Sequence, residues 1–307
     1  KILDVPNARS SHNKLMPTGG GAAIVFSFFL GIFSLWGLGY IETSILIALI
    51  GSGGAVAGIG LWDDYDGIPR KWRLLVHFVA AIWVLFWFGS ISFLDISLVS
   101  YSLVGLGNIL VLFFLVWCLN VFNFMDGIDG LAASEALFVS ICAAFLASLS
   151  GSDVHVYILL ILAVVTMGFL VLNWPPARIF MGDVGSGFLG IMLGTMAYAT
   201  IANGIIPVWS WLILFGVFMA DASITLTRRI FRGERWYNAH RSHAYQHAAQ
   251  YFKSHRRVTV CIIMINIFWL FPCALYAAIN PQWGILMAAI AYLPLVFIVF
   301  RFRAGCN

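Results

Sequence analysis

Long apolar runs broken by short polar links repeat along the whole chain. A helix that crosses the hydrocarbon core needs about 20 apolar residues, and ten stretches approach or meet that length: 22–41, 43–61, 74–90, 107–124, 131–149, 154–172, 187–202, 207–227, 258–279 and 283–300. The runs are continuous and do not alternate with a period of two. They therefore predict helices, which satisfy their own backbone in lipid. The expected fold is an all-α polytopic bundle of about ten spans, a single membrane domain over 1–307. Residues 1–21 and 228–257 are its longer polar segments. Over 91–105, serines alternating with apolar residues predict a small hairpin on the outer surface.

Composition agrees with this picture. The 307 residues are 62% hydrophobic and 10% charged, against about 25% charged in ordinary soluble domains. This excludes a soluble enzyme and a disordered chain. Of the five cysteines, Cys118, Cys142, Cys261 and Cys273 sit in apolar runs and Cys306 lies next to the last residue. None has CxxC spacing, so neither a disulfide framework nor a zinc site is indicated. The chain begins at Lys1 with a polar, turn-rich stretch, which reads as a truncation point.

The placement of charge says more than its total. With ten spans, all 17 Lys and Arg fall on one side of the membrane. Basic loops stay cytoplasmic, so that side and both termini are expected in the cytoplasm. Ten of the 13 acids lie there too, all but Glu42, Asp95 and Asp153. Glu135 and Asp221 are the intramembrane acids, and such acids are functional candidates by default.

Four constellations at the basic face carry candidate chemistry. Asp63-Asp64-Tyr65-Asp66 ends the second run. Adjacent carboxylates repel unless a cation or proton relieves them, so one can serve as base while its neighbour orients a metal or a basic side chain. Its bland alternative is a solvated loop balanced by Arg70, Lys71 and Arg73. The second constellation is Asn120-x-x-Asn123-x-x-Asp126-Gly-x-Asp129-Gly-Leu-Ala. Asn120 and Asn123 share a helix face, and the hard oxygen donors suit Mg²⁺. Asp129 as an N-cap explains only one of these residues. The third is Asn173-Trp-Pro-Pro-Ala-Arg178-Ile-Phe180-Met-Gly-Asp183-Val-Gly-Ser186. Glycine-rich turns entering a helix bind anions, and Asp183 among them implies a bridging cation. A plain interhelical loop is its alternative.

The fourth is the 228–257 segment, with eight Lys/Arg against Glu234 and four of the seven His. His240, His243 and His247, at i, i+3 and i+7, are expected on one helix face. Basic and imidazole donors suit a diphosphate. Anionic lipid headgroups and a transition metal are the competing ligands. Arg9, His12 and Lys14 join this face from the N-terminal stretch. His77 and His155 read as structural.

Taken in chain order, these motifs resemble the polyprenyl-phosphate N-acetylhexosamine-1-phosphate transferases, a glycosyltransferase family 4 type. The likeness rests on Asp4-x-Pro6-Asn7-x-Arg9-x-x-His12, Asp63-Asp64, the Asn120–Ala132 motif, Phe180-Met-Gly-Asp183-x-Gly-Ser186, Asp221, Arg228-Arg229 and the His segment. It implies transfer of a sugar-1-phosphate from a UDP-N-acetylhexosamine to undecaprenyl phosphate, with UMP released and Mg²⁺ (or Mn²⁺) as cofactor. It also implies roles. Asp183 and Asp64 would hold the metal, and Asp63, Asp64, Asp126 and Asp129 would be catalytic. Asn120, Asn123, Arg9, His12, Lys14, Asp221, His240, Arg241 and His243 would bind substrate.

The His240-Arg-Ser-His243 spacing departs from the closer His-x-His of many members. It looks more like the O-antigen-initiating branch than the phospho-MurNAc-pentapeptide branch. That points to lipopolysaccharide initiation at a bacterial inner membrane, with GlcNAc or a 6-deoxy sugar such as FucNAc or QuiNAc. Family members carry a further helix before the first loop, so an eleventh span is expected to be missing. The expected partners are the UDP-sugar, the polyprenyl phosphate and the bilayer. Nucleic acid is not expected, and a homodimer is left open.

Two rivals remain. Asp126-x-x-Asp129-Gly-x-x-Ala133 matches the start of a CDP-alcohol phosphatidyltransferase signature, but Ser134 stands where that signature has Arg. A nucleotide-sugar or lipid transporter would line a midplane path with charge, whereas here the polar residues gather at one face.

Overall fold

The computed structural model describes residues 3–4, 16–89, 94–96, 99–101, 104–234 and 240–306. Arg9, His12 and Lys14 lie outside them. After the strand pair β1 (Leu3–Asp4) and β2 (Met16–Pro17) come α1 (Gly21–Gly37), α2 (Thr43–Asp66) and α3 (Arg70–Phe88). The antiparallel hairpin of β3 (Leu94–Ile96) and β4 (Val99–Tyr101) sits where serine alternation predicts it. Then follow α4 (Val104–Met125), α5 (Leu131–Leu149), α6 (Asp153–Asn173), α7 (Gly182–Ala202), α8 (Val208–Leu214) and α9 (Gly216–Phe231). The chain ends with α10 (Ala244–Phe252), α11 (His255–Ile265), α12 (Phe271–Ile279) and α13 (Gly284–Arg301).

Among the described residues, eight helices are long and apolar enough to cross a membrane, or nine with the bent pair α8 and α9. α1, at 17 residues, is a shorter apolar helix. The protein is a multi-pass membrane helical bundle: each of the ten apolar runs is covered by one helix or a pair, and α10 lies outside them. Two runs differ inside. The run 207–227 bends by 77° between α8 and α9. Phe215 at the bend has φ −80° and ψ 4°, outside helical geometry, and the helix beyond it packs on Leu270 and Leu295. The run 258–279 contains a π turn, Asn266–Leu270, between α11 and α12. There the buried Asn266 amide donates to Glu135 at 2.5 Å. A polar pair in the apolar interior is a recurrent cause of such a bulge.

α7 is the axis of the bundle, with every residue from Val184 to Thr200 buried. Lipid is as apolar as leucine, so transmembrane helices gain by close packing of small residues rather than by hydrophobic burial. The glycines at 185, 187, 190 and 194 of α7 serve this end: α1, α2 and α4 lie against them. Asp183 lies in the first turn of α7, so the packing of α7 fixes where the third motif meets the ends of α2 and α4.

Candidate active site at the charged end of the bundle

α2 continues through Asp66, past the apolar run, so Asp63 and Asp64 lie in its last turn. Asp64 Oδ1 accepts the amide of Asp183 at 2.8 Å, and Oδ2 that of Val184 at 3.2 Å. A carboxylate on the first free amides of a helix is favoured by both hydrogen bonding and the helix dipole. Asp64 thus caps α7 and aims Asp183. The fit needs two glycines. Gly182 has φ +76°, and a Cβ there would collide with the Asp64 carboxylate. A Cβ on Gly60 would lie 2.7 Å from the Asp183 carbonyl. Gly60→Ala is therefore expected to lever α7 off α2, costing about 1–3 kcal/mol and at least tenfold in activity. Gly58→Ala, whose Cβ meets nothing within 4 Å, should be neutral. Thermal unfolding in detergent, with activity in parallel, checks both.

Arg73 is a residue that sequence reasoning treated only as a balancing charge. Its guanidinium pairs with Asp63 and with Asp183 at 2.6 Å. The Ile68 amide donates to the other Asp63 oxygen at 2.6 Å. On the far side of Asp183, the Asn123 amide donates to Oδ1 at 2.7 Å and to the Ser186 hydroxyl at 3.2 Å. The two motifs, 60 residues apart, are one unit.

A cavity of about 600 Å³ opens beside it. One wall is Asn120, Asn123 and Asp126 with Gly127. α3 adds Arg70, Lys71, Arg73 and His77 to the lining. His240, His243, Tyr245 and Gln246 close the third side. Three cations in the first turn of α3 oppose the ordinary dipole preference. They add their charge to the positive helix end, which makes that wall an anion site. Burial, then the charges of Asp183, Asp64 and Asp129, push the Asp126 carboxyl up to about 7. The acidic wall is thus short of positive charge, and hard carboxylates in that state fit a divalent cation. No group of three or more His, Cys, Asp or Glu among the described residues is arranged to hold a metal by itself.

The predicted residues fall into two sets. Asn120, Asn123, Asp126, His240 and His243 line the cavity, with Asp63, Asp64 and Asp183 beside it. Asp129 is not among the cavity residues: Oδ2 accepts the Ala177 amide at 3.1 Å, and Oδ1 meets His255 Nδ1 at 3.3 Å. Asn173, donating to the Ile179 carbonyl and accepting from the Gly130 amide, joins the same two loops. Asp221 is likewise not a cavity residue. It is 3% exposed, and its oxygens accept from Thr225, His243, Ala244 and Tyr245. Arg241 does not line the cavity.

The expected single face of His240, His243 and His247 is also not formed. Because Asp221 takes the amides of Ala244 and Tyr245, α10 begins only at Ala244 and His240 lies before it. His240 and His243 stack at 4.9 Å instead. Burial, helped by His243 and Arg229, lowers His240 to about 4. It faces the cavity as a neutral hydrogen-bonding ring, so the positive charge on substrate comes from α3. His155, bonded to Ser152 at 2.7 Å, is structural as expected. His77 is not merely structural, since it lines the cavity.

A membrane bundle with carboxylates and cations gathered at one cavity has the makings of a transferase of phosphorylated groups. The sequence signature of glycosyl transferase family 4 matches residues 45–201, which span α2 to α7 and hold both motifs. The chain belongs to glycosyl transferase family 4 and is a membrane-embedded transferase. It is 29% identical to a probable undecaprenyl-phosphate N-acetylglucosaminyl 1-phosphate transferase of Bacillus subtilis, covering 86% of this chain and 74% of that one. It is also 29% identical to a decaprenyl-phosphate N-acetylglucosaminephosphotransferase of Mycobacterium leprae, over 84% and 73%. A phospho-N-acetylmuramoyl-pentapeptide-transferase of Heliobacterium modesticaldum is 32% identical over 70% and 72%.

Proposed function

We propose that this protein transfers an N-acetylhexosamine-1-phosphate from a UDP-sugar to undecaprenyl phosphate. The observation that carries the reading is the cavity itself: Asn123 and Asp126 line it together with Arg70, Lys71 and Arg73, beside the Asp64–Asp183 unit, at the charged end of a membrane bundle. A phosphate oxygen of the acceptor attacks the sugar-bearing phosphorus of the donor. A new P–O–P linkage forms, the donor diphosphate bond breaks, and UMP leaves with the bonding pair. Both reactants are anions, so the site must neutralise charge before and during attack. Arg70 and Lys71 draw in the acceptor phosphate. Arg73 holds Asp63 and Asp183 in place, and Asn123 orients Asp183. His240 and Gln246 offer hydrogen-bonding groups to the sugar and diphosphate, and His243 completes that wall.

Asp183 and Asp64 are the residues that would hold Mg²⁺, which would supply Lewis-acid stabilisation of the diphosphate when bound. The segregation of all 17 basic residues to one side supports a cytoplasmic site in a bacterial inner membrane. There the tail of the acceptor stays in lipid while its head meets cytosolic nucleotide. The hexosamine branch is favoured over the pentapeptide branch by the His240-Arg-Ser-His243 spacing, and initiation of a cell-envelope polysaccharide is the corresponding role. The test incubates purified protein and Mg²⁺ with undecaprenyl phosphate and UDP-GlcNAc, UDP-FucNAc, UDP-QuiNAc or UDP-MurNAc-pentapeptide. UMP release and the mass of the lipid product are read. A lipid-diphosphate hexosamine is expected. No UMP with any donor, or product from the pentapeptide donor alone, overturns the reading.

A further inference from the structure

A short chain of hydrogen bonds backs His240. Arg229, in the last turn of α9, is 6% exposed. Its Nη1 pairs with Glu234 at 2.8 Å and donates to the Ser242 hydroxyl at 3.4 Å. That hydroxyl lies 3.0 Å from His240 Nδ1. Ser242 is buried, and the Gly305 amide donates to its carbonyl at 2.6 Å, so its backbone is fixed as well. His240 belongs to the cavity lining. Its ring stacks on that of His243, whose Nδ1 is held by the Asp221 carboxylate.

Chemistry sets the direction of this chain. A guanidinium only donates, so the Ser242 oxygen accepts from Arg229. A hydroxyl has a single hydrogen to give. If His240 Nδ1–H donated to Ser242, that hydrogen would be left buried and unpaired, because Arg229 and His240 are the hydroxyl's only partners among the described residues. Buried donors are nearly always paired. The hydroxyl therefore donates to Nδ1, and Nδ1 is the bare nitrogen. Burial first, then His243 and Arg229, hold the ring at about 4. At pH 7 it is neutral, and its one proton sits on Nε2.

We propose that Ser242 is a positioning residue: it occupies His240 Nδ1 and so leaves Nε2–H to donate to an acceptor oxygen of the UDP-sugar. This rests on the transfer reading above. Arg229 acts one step further back, by making the Ser242 oxygen an acceptor and so forcing its hydrogen toward His240. Without Ser242 the ring can flip or change tautomer, and a bare nitrogen repels the lone pairs of a substrate oxygen.

The experiment measures UMP release against UDP-sugar concentration for wild type, Ser242→Ala, His240→Gln, His240→Asn and the double variant Ser242→Ala/His240→Gln. Glutamine carries its amide nitrogen where Nε2 stands, and asparagine where Nδ1 stands. Ser242→Ala should lower kcat/KM for the UDP-sugar about fivefold and leave KM for undecaprenyl phosphate unchanged. His240→Gln should keep more activity than His240→Asn. Adding Ser242→Ala to His240→Gln should cost nothing further, since no Nδ1 remains to be held. A merely structural serine would give losses that multiply. Nitrogen NMR of histidine-labelled protein in detergent, with His240 assigned by its loss in His240→Gln, should show Nδ1 bare and Nε2 protonated at pH 7. Multiplying losses, a better His240→Asn, or a protonated Nδ1 in wild type each overturns the proposal. Where Ser242→Ala fails to fold, the wild-type spectrum and the Gln/Asn comparison decide. Wild-type protein that releases no UMP sinks the functional reading; active wild type with the reverse tautomer sinks only this inference.

Discussion

Asp183→Asn is expected to abolish UMP release, by about 10³-fold or more, in protein that still folds. The replacement is isosteric but removes a charge and turns one acceptor oxygen into a donor. Asp183 receives the Asn123 amide on Oδ1 and the Arg73 guanidinium on Oδ2, so an amide in its place must set a donor against one of them. The backbone amide of residue 183 still donates to Asp64, which keeps the α7 cap and hence the fold. Activity is read against Mg²⁺ concentration, with thermal unfolding and size-exclusion profiles as the folding check. Full retained activity removes Asp183 from the metal role.

Asp221→Ala should have the second largest effect, on stability first and on activity through it. One carboxylate serves four donors: the Thr225 hydroxyl, His243 Nδ1 and the amides of Ala244 and Tyr245. Its removal orphans buried donors and uncaps α10, a loss of about 2–4 kcal/mol. The start of α10 then comes away from α4, to which the Tyr245 hydroxyl ties it through the Phe124 carbonyl at 2.9 Å. His240, His243 and Gln246 leave the cavity wall together, so KM for the UDP-sugar rises. Asp221→Asn keeps an acceptor oxygen and should fall between. Thermal unfolding with donor kinetics decides the matter, and wild-type stability in Asp221→Ala rules out the latch.

Asp221 also illustrates what was legible in advance. An acid inside an apolar run has to be compensated, and that much is certain from composition. Whether the compensation comes from substrate or from protein is a question about a helix start 23 residues later. The histidines at 240, 243 and 247 fail as a face for the same reason, because Asp221 sets where α10 begins. Arg73 was visible as a charge near Asp63, yet its contact with Asp183, 110 residues further along the chain, depends on how α7 docks on α2. The bend at Phe215 and the π turn at Asn266 leave almost no trace in hydropathy. The residues on both sides are equally apolar, and only the neighbours they meet differ.

By itself the sequence determined that the chain is a membrane protein and where its helices run. Transfer free energy and backbone hydrogen bonding act on each segment alone, and they are summed along one dimension. It also determined that Asp63, Asp64, Asn123, Asp126 and Asp183 share one face, since depth in the bilayer follows from position within a span. Only the tertiary structure decided which of them meet. Lateral placement is set by how small residues let α2, α4 and α7 approach, and that is a property of surfaces in contact. It tied Asp129 to the Ala177 amide, made Asp221 a fastener, brought Arg73 between two carboxylates, and set His77 in the cavity lining.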